Sequence, residues 1–314
     1  MIKYITSCFL IGNVFIANAQ NSDVIKKQEQ QKTTNFDSKK LLNTEFKYYT
    51  PFKYEGKRFD GTELPSNKIK QLYQSVVGAD INLIANNKWF FGTKLFYNYL
   101  HAETNNIGSE SVKSDIHYYT TELNVMRFSK LFNKSVIYTA SIIPSGGNDG
   151  FERVTGLVSG TLILKADAST KMTIGLLGFV DPSSIVPVTL TFSYEKRFKN
   201  GWIFDLNLPQ RIFMKKDLSD HERISLGSEL NTTNFYLNEI DKNKKTYMFS
   251  QAEILTGLTY EYSLLKKVKG SIKSGFVSVP FSRMVELNKS FSNYEYDLKQ
   301  KSTFYINVGL SYRL

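Results

Sequence analysis

Every second residue is apolar over long stretches of the chain. Over residues 188–195 apolar and polar positions alternate strictly, and the same spacing returns over residues 202–208. A period of two predicts β-strands with one apolar and one polar face. Asn200-Gly201, which separates the two runs, predicts a tight hairpin, because a type I′ turn needs two residues that tolerate a positive φ.

Runs of this kind continue from about residue 43 to the C-terminus. They number fourteen if Pro209-Gln210 is a tight turn, thirteen if residues 202–216 form one strand, and twelve if the first hairpin is lost. Single-chain bacterial barrels have an even number of strands, which favours fourteen. Long polar connections are then expected at one end, at residues 55–71, 102–114, 144–153, 237–245 and 282–300, with short turns at the other.

The last run of the chain indicates which face meets water. Residues 304–314 alternate without a break and end on Leu314, where the signal read by barrel-assembly machinery usually ends on Phe. In a soluble sandwich the apolar face would point into a core, whereas in an outer-membrane barrel it points into lipid. We expect an all-β protein, a closed antiparallel transmembrane β-barrel of about 14 strands with 12 as the alternative. The aromatic residues expected at the membrane interfaces are Tyr97, Tyr99, Trp202, Tyr260, Tyr262 and Tyr312.

The N-terminal residues have the pattern of an export signal. Lys3 precedes an apolar stretch, and Ala17-Asn18-Ala19 fits a cleavage site before Gln20. We therefore expect a signal peptide over 1–19, a flexible periplasmic leader over 20–42 and the outer-membrane barrel over 43–314. A lipoprotein signal at Cys8 is disfavoured, because most of the apolar stretch follows that residue.

Composition narrows the chemistry and suggests partners. Cys8 is the single cysteine, so the mature chain would have no disulfide, no thiolate zinc site and no cysteine nucleophile. The formal charge is +11, and the basic residues cluster near expected strand ends. Lipid and lipopolysaccharide phosphates of the outer membrane are the expected partners, together with the barrel-assembly machinery, while an exported barrel would not meet nucleic acid. Nothing in the pattern indicates an oligomeric state.

Three segments carry a resemblance to a known family. They are residues 193–209, which include Trp202 and Pro209, the run at 223–237 and the final strand. With these segments the chain resembles a Bacteroidetes-type family of outer-membrane β-barrel proteins that is defined as a domain of unknown function. The resemblance implies the fold and the location, and it brings no catalytic residues.

Candidate catalytic chemistry is sparse. His101 and His117 flank the connection at 102–114, and Ser109, Ser111, Ser114 and Asp115 lie in the same region, so a Ser–His–Asp site at the rim is one hypothesis. Ordinary surface residues are the favoured interpretation. "PSGGNDG" at 144–150 lacks the lysine and the helix of a phosphate-binding loop and predicts a hairpin loop instead. No catalytic residue, cofactor or metal site is predicted.

A passive role is therefore favoured: a channel, or a barrel that binds a small solute or a lipid. A lipid- or peptide-hydrolysing enzyme is the first alternative, and a structural or adhesive barrel that uses its loops at 102–114 and 282–300 is the second. A channel should carry charged side chains on its inner wall. The charges expected to face the lumen are Lys94, Glu122, Glu195, Asp205 and Arg313.

Overall fold

The computed structural model describes residues 40–105, 111–184, 186–238 and 245–313. The expected signal peptide, most of the expected leader, Ser109 and Leu314 lie outside these residues. The strands are β1 Lys40–Tyr49, β2 Phe52–Arg58, β3 Glu63–Ala85, β4 Trp89–Asn105, β5 Ser111–Leu131, β6 Lys134–Gly147, β7 Gly150–Ala166, β8 Thr170–Val180, β9 Val188–Arg197, β10 Trp202–Leu208, β11 Arg211–Asp217, β12 Glu222–Leu237, β13 Tyr247–Ser263, β14 Val268–Glu286, β15 Tyr294–Gln300 and β16 Thr303–Arg313. The first of these begins at Lys40, inside the segment expected as leader.

The strands close into a single antiparallel barrel. Each strand from β3 to β14 pairs with its neighbours in the sequence, and β1 closes the ring by pairing with both β3 and β16. Two crossings are interrupted, since β2 continues β1 after a break at residues 50–51 and β15 leads into β16 after a break at 301–302. The sixteen strands therefore make fourteen crossings. The prediction of fourteen is confirmed, and Pro209-Gln210 is the tight turn that it required.

The connections between strands differ in length at the two ends of the barrel. At one end all the turns are short, at residues 86–88, 132–133, 167–169, 198–201, 218–221 and 264–267. In the third of these, Asp167 accepts hydrogen bonds from the amides of Ser169 (2.9 Å) and Thr170 (2.8 Å). The pKa of Asp167 is lowered to about 2, mainly by the hydrogen bond from the Ser169 amide and next by the hydrogen bond from the Lys165 ammonium.

At the other end, much of what was expected as long polar loops is strand. Residues 55–71 contain most of β2 and the beginning of β3, and residues 282–300 contain the end of β14 and all of β15. The hairpin predicted at 144–150 is present, with a two-residue turn between β6 and β7. The expectation of loops was wrong here because backbone pairing extends the sheet through segments rich in charged and polar residues, whose composition resembles that of loops.

The apolar face of the strands points outward and the polar face points inward. On β16, Ile306, Val308 and Leu310 are exposed on the outside, whereas Asn307 and Ser311 are buried on the inside. This is the arrangement of an outer-membrane barrel and the reverse of a soluble sandwich. Among the described residues, no helix is long and apolar enough to cross a membrane.

Apolar side chains also cluster inside the barrel, whose end opposite the short turns we call the outer end. One cluster joins Tyr49, Leu72, Leu255, Val277 and Tyr305 across five strands. A second cluster is formed by Ile143, Leu157 and Leu177. A further cluster, around Phe90 and Met126, lies near the short turns. The inner wall is thus polar and charged in part and apolar in part.

Candidate functional site

The barrel interior contains the charged residues that the sequence predicted for the lumen. Lys94 and Glu122 are directly opposite each other on β4 and β5, and the Lys94 ammonium lies 2.9 Å from the Glu122 carboxylate. Ser141 on β6 donates a hydrogen bond of 2.8 Å to the same carboxylate. These three groups form a compensated polar patch on one side of the inner wall.

Glu195 and Asp205 are also direct partners, on β9 and β10. Their equal depth, expected from their spacing about Asn200-Gly201, is therefore present. Each carboxylate is compensated by cations. Asp205 accepts from Arg211 at 3.1 Å and Lys215 at 2.5 Å on β11.

Glu195 contacts Arg197 at 3.2 Å and Lys171 at 3.5 Å. Removal of either carboxylate would therefore leave cations exposed to the interior.

Arg313 lies on the inner face of β16, where its guanidinium is 4.0 Å from Glu261. A larger network, which the sequence prediction did not include, lies nearby. Lys273 on β14 contacts Glu229 on β12 at 3.2 Å, and Tyr49 donates to Glu253 at 3.0 Å. These residues lie on strands that are far apart in the sequence, so pairwise alternation alone could not have shown that they meet.

The outer mouth is narrowed by contacts between opposite walls. Consecutive residues of a strand point to opposite faces, yet Phe235 and Tyr236 on β12 are both buried, as are Tyr247 and Met248 on β13. We call residues 230–237 and 247–253 the overhang, because this part of the two strands is covered on both faces.

Tyr236 of the overhang touches the opposite wall. Its hydroxyl lies 2.7 Å from the Ser145 hydroxyl on β6, and Arg153 on β7 donates to it at 2.9 Å. A methyl group built on Gly147 would lie 3.2 Å from the Cβ of Tyr236, so this glycine permits the close approach. Going round the sheet, β12 and β6 are six strands apart in one direction and eight in the other, so the contact spans the mouth.

Arg153 joins the overhang to the connection between β8 and β9. Its guanidinium makes two hydrogen bonds with Asp181, of 2.9 and 3.2 Å, and a third of 3.3 Å with Ser183. The Arg153 side chain is only 9% exposed. A bidentate, largely buried pair of this kind holds its partners in a defined orientation. We call this arrangement of Arg153, Asp181 and Tyr236 the latch.

The histidines of the catalytic hypothesis lie on the outside of the barrel. His101 Nδ1 is 2.7 Å from Asp115, and Tyr99 donates to the same carboxylate at 2.5 Å. His117 Nδ1 is 2.7 Å from the Tyr97 hydroxyl. Asp115 and Ser114 are consecutive strand residues and therefore point to opposite faces, so Ser114 does not complete a triad with this pair.

The predicted interface aromatics lie on the outward face as well. Tyr97, Trp202, Tyr262 and Tyr312 are each more than a third exposed. Lys216 lies over the Trp202 ring at 5.3 Å, near the short turns, and Arg127 lies over Trp89 at 5.4 Å in the equivalent place on β4 and β5. Their role at a membrane interface remains a prediction. Within the described residues there is no group of three or more side chains suited to hold a metal ion.

Comparison with known proteins gives a family. The model of a domain of unknown function, DUF6268, matches residues 46–313. The chain belongs to the DUF6268 family. The match includes the end of β1 and the whole of the later strands, and the Bacteroidetes-type origin suggested by the sequence remains a prediction. No curated protein matches the chain.

Solved structures that resemble this DUF6268 chain are distant in sequence. An outer membrane channel, COG4313, from Pseudomonas putida F1 is 7% identical, with 87% of this chain and 96% of that chain covered and a TM-score of 0.37. A FadL homologue from Pseudomonas aeruginosa is 8% identical, with 89% and 91% covered and a TM-score of 0.37. The outer membrane protease OmpT from Escherichia coli is 10% identical, with 87% and 96% covered and a TM-score of 0.27. These similarities do not assign an activity to this chain.

Proposed function

We propose that this protein is a passive outer-membrane channel for small solutes. The observation that carries the proposal is the two-sided wall: a closed barrel with an apolar outer face and compensated charged groups on its inner face. Charges inside a narrow passage select ions, because the surrounding protein has a low dielectric constant. The overhang limits the opening at the outer mouth, so the size of the solute would be set by Tyr236 and the residues that it touches.

Reconstitution tests this function directly. Purified full-length protein in liposomes should allow arabinose to enter, which is measured by swelling. Tyr236→Ala should increase the swelling rate, because it removes the side chain that joins the two walls. Tyr262→Ala, on the outer face of β13, is the matched control and should leave the rate unchanged. Absence of swelling with both the natural protein and Tyr236→Ala would contradict the channel.

We also propose that lipopolysaccharide phosphates bind the extension formed by β2, β15 and the beginning of β3. Lys53 and Lys68 are directly opposite each other in the β2–β3 register, and both are exposed. Lys301 is adjacent, since its amide donates to the Lys53 carbonyl at 3.0 Å. Like charges that face each other on a sheet are unfavourable, and an anionic phosphate between them would relieve the repulsion.

Binding of purified protein to lipopolysaccharide vesicles should therefore weaken in the double variant Lys53→Gln, Lys68→Gln. The control is Lys130→Gln with Lys134→Gln, which removes the same charge beside the short turn at 132–133. Equal weakening by both variants would indicate a general charge effect and contradict the site. The barrel-assembly machinery remains a further proposed partner, through the alternating β16.

A further inference from the structure

A cation between two aromatic rings marks the outward face of the barrel near the turns at 86–88 and 132–133. Trp89 on β4, Arg127 on β5 and Tyr138 on β6 are directly opposite one another in the register, and both aromatic side chains are exposed. The Arg127 guanidinium lies over the Trp89 ring at 5.4 Å. Residues 86–91 and 125–138, which form the strand ends here, include lysine and arginine but neither aspartate nor glutamate. This part of the outward face is therefore basic.

A groove begins directly above this row of residues. It has a volume of about 680 Å³, and its wall is almost entirely apolar. Ala140 on β6 and Gly156 on β7 form its floor, because they are smaller than the outward residues around them. The most exposed of these larger side chains are Leu83, Leu123, Ile142, Val154, Val158 and Val180. The groove thus lies on the face that the barrel turns toward lipid.

The height of the groove matches one leaflet of a bilayer. Gly160 on β7 is level with Tyr138, and Val154 lies six residues further along the same strand. This distance is about 20 Å along the strand and about 15 Å across the bilayer at a tilt near 40°. The hydrocarbon core is about 30 Å thick, so the groove extends from the headgroups to about its middle. Short turns of such barrels lie on the periplasmic side, so the leaflet concerned is the periplasmic one.

The second tryptophan of the chain provides a comparison within the same molecule. Trp202 is opposite Lys216, whose ammonium lies over the ring at 5.3 Å. Trp202 is 37% exposed and Trp89 is 38% exposed, so the two rings are equally accessible to lipid. Above Trp202, however, the outward residues are all large: Phe204, Leu206, Ile212 and Met214. The two tryptophans therefore share a cation and differ in the groove.

We propose that the groove holds one acyl chain of an anionic phospholipid of the periplasmic leaflet, with the lipid phosphate bound to the Arg127 guanidinium. A guanidinium can donate two parallel hydrogen bonds to a phosphate while its plane stacks on an aromatic ring. Lipid tails are as apolar as leucine, so no hydrophobic energy is gained when a chain enters the groove. Close packing retains the chain instead, and the phosphate selects the lipid. This site is independent of the channel and of the proposed lipopolysaccharide site at the outer end.

The two tryptophans allow the lipid beside each of them to be measured. Trp202→Phe leaves Trp89 as the single tryptophan of the chain, and Trp89→Phe leaves Trp202. Each full-length variant is reconstituted in phosphatidylcholine vesicles with increasing fractions of phosphatidylglycerol that is brominated near the headgroup end of its chains and quenches tryptophan on contact. Brominated phosphatidylcholine, in the same fractions, measures contact that does not depend on lipid charge. Migration on unheated gels confirms that each variant is folded.

Trp89 should be quenched at a lower fraction of brominated phosphatidylglycerol than Trp202, whereas brominated phosphatidylcholine should quench both equally. Arg127→Gln should raise the fraction needed at Trp89 about fivefold, the factor expected for one basic side chain at an anionic lipid surface, and Arg127→Lys should retain part of the preference. Ala140→Phe, which fills the groove, should abolish the difference between the two tryptophans. Ala79→Phe, on the outward face of β3 and outside the groove, should preserve it.

Equal quenching of the two tryptophans by brominated phosphatidylglycerol would overturn the site. A preference that survives Arg127→Gln or Ala140→Phe would do the same. Weaker quenching of Trp89 than of Trp202 by both lipids would also overturn it and would show that protein, such as a second copy of this chain, covers the groove. None of these results changes the arabinose swelling expected of the channel, so the two proposals fail separately.

Discussion

The β4–β5 and β10–β11 hairpins cross the same barrel wall but reach different heights. Each begins near the short turns with a tryptophan under a cation, Trp89 with Arg127 and Trp202 with Lys216. From Trp89 the outward aromatic and histidine face continues for twelve residues to His101, about 30 Å across the bilayer at a tilt near 40°. From Trp202 the outward face ends six residues later, at Leu208. One hairpin spans the apolar band and the other stops within it.

The comparison shows how a closed barrel can contain a hairpin whose strands are much shorter than those next to it. Backbone groups at membrane depth must be paired or covered. The tall β12–β13 hairpin supplies this cover by bending inward as the overhang, where Tyr236 meets Ser145 and Leu230 is buried in a cluster with Ala252 and Phe179. The greater length of β12 and β13 thus compensates for the missing length of the adjacent β10–β11 hairpin.

The largest expected effect tests the low wall itself. Leu208→Arg should destabilise the inserted barrel by about 2–4 kcal/mol, because an arginine near the bilayer midplane on a barrel costs that much. Leu208 is next to the turn at 209–210, so a barrel wall of ordinary height would place it at the surface. Gln71→Arg, two residue pairs above the Tyr73–His101 pair, should cost close to nothing. Urea titration of folding into lipid vesicles measures both variants, and equal costs would show that the hairpin is not low.

The next effect concerns the two faces of the neighbouring strand. Leu190 on β9 is 70% exposed on the outside, and Thr191 faces the interior. Leu190→Arg should cost between about 1 and 4 kcal/mol according to its depth, whereas Thr191→Arg should be tolerated much better. Urea titration of folding into lipid vesicles measures the destabilisation caused by each variant. A greater cost at Thr191 would mean that the outward and inward faces have been exchanged.

The sequence predicts the repeating parts of this molecule and not the parts where distant strands meet. Alternation of period two and the Asn200-Gly201 turn are local signals, so the crossings and their faces could be predicted. The overhang depends on contacts between Tyr236 and Arg153, which are 83 residues apart and have no pattern that links them.

The extended ends of the barrel escaped prediction for a different reason. Lys53, Glu55 and Lys57 alternate with Phe52, Tyr54 and Gly56, but the high charge and the glycine make this short strand resemble a polar loop in sequence. The expected lumen charges, in contrast, could be placed on the inward face by parity alone. The residues that form ion pairs with them could not be predicted, because the residue that lies opposite on the next strand depends on the register of the two strands.

A smaller effect is expected at the inner surface of the low hairpin. Asp205 compensates Arg211 and Lys215, so Asp205→Asn should leave net positive charge on the inner wall. Reconstituted conductance should then shift from cations toward anions, because Coulomb interactions are strong in a narrow passage. Asp60→Asn, in the exposed turn of the outer extension, removes the same charge and should not change ion selectivity. A selectivity that is identical in all three proteins would exclude Asp205 from the conduction path.

The smallest effect is expected on the tall wall, at the cluster of His101, Asp115 and Tyr99. If this cluster only contributes to the outer surface, Asp115→Asn should leave folding and arabinose swelling unchanged, since interactions among exposed side chains contribute little to stability. The enzyme alternative predicts the opposite pattern. Cells or vesicles that carry the natural protein would hydrolyse phospholipid or a peptide, and Asp115→Asn or His101→Ala would abolish that hydrolysis, whereas Asp205→Asn would not. The cluster faces outward and Ser114 points to the opposite face of β5, so a nucleophile would have to come from elsewhere. Because the low wall and the tall wall then give independent readouts, hydrolysis that depends on His101 would reassign the tall wall to catalysis without changing the cost expected for Leu208→Arg on the low wall.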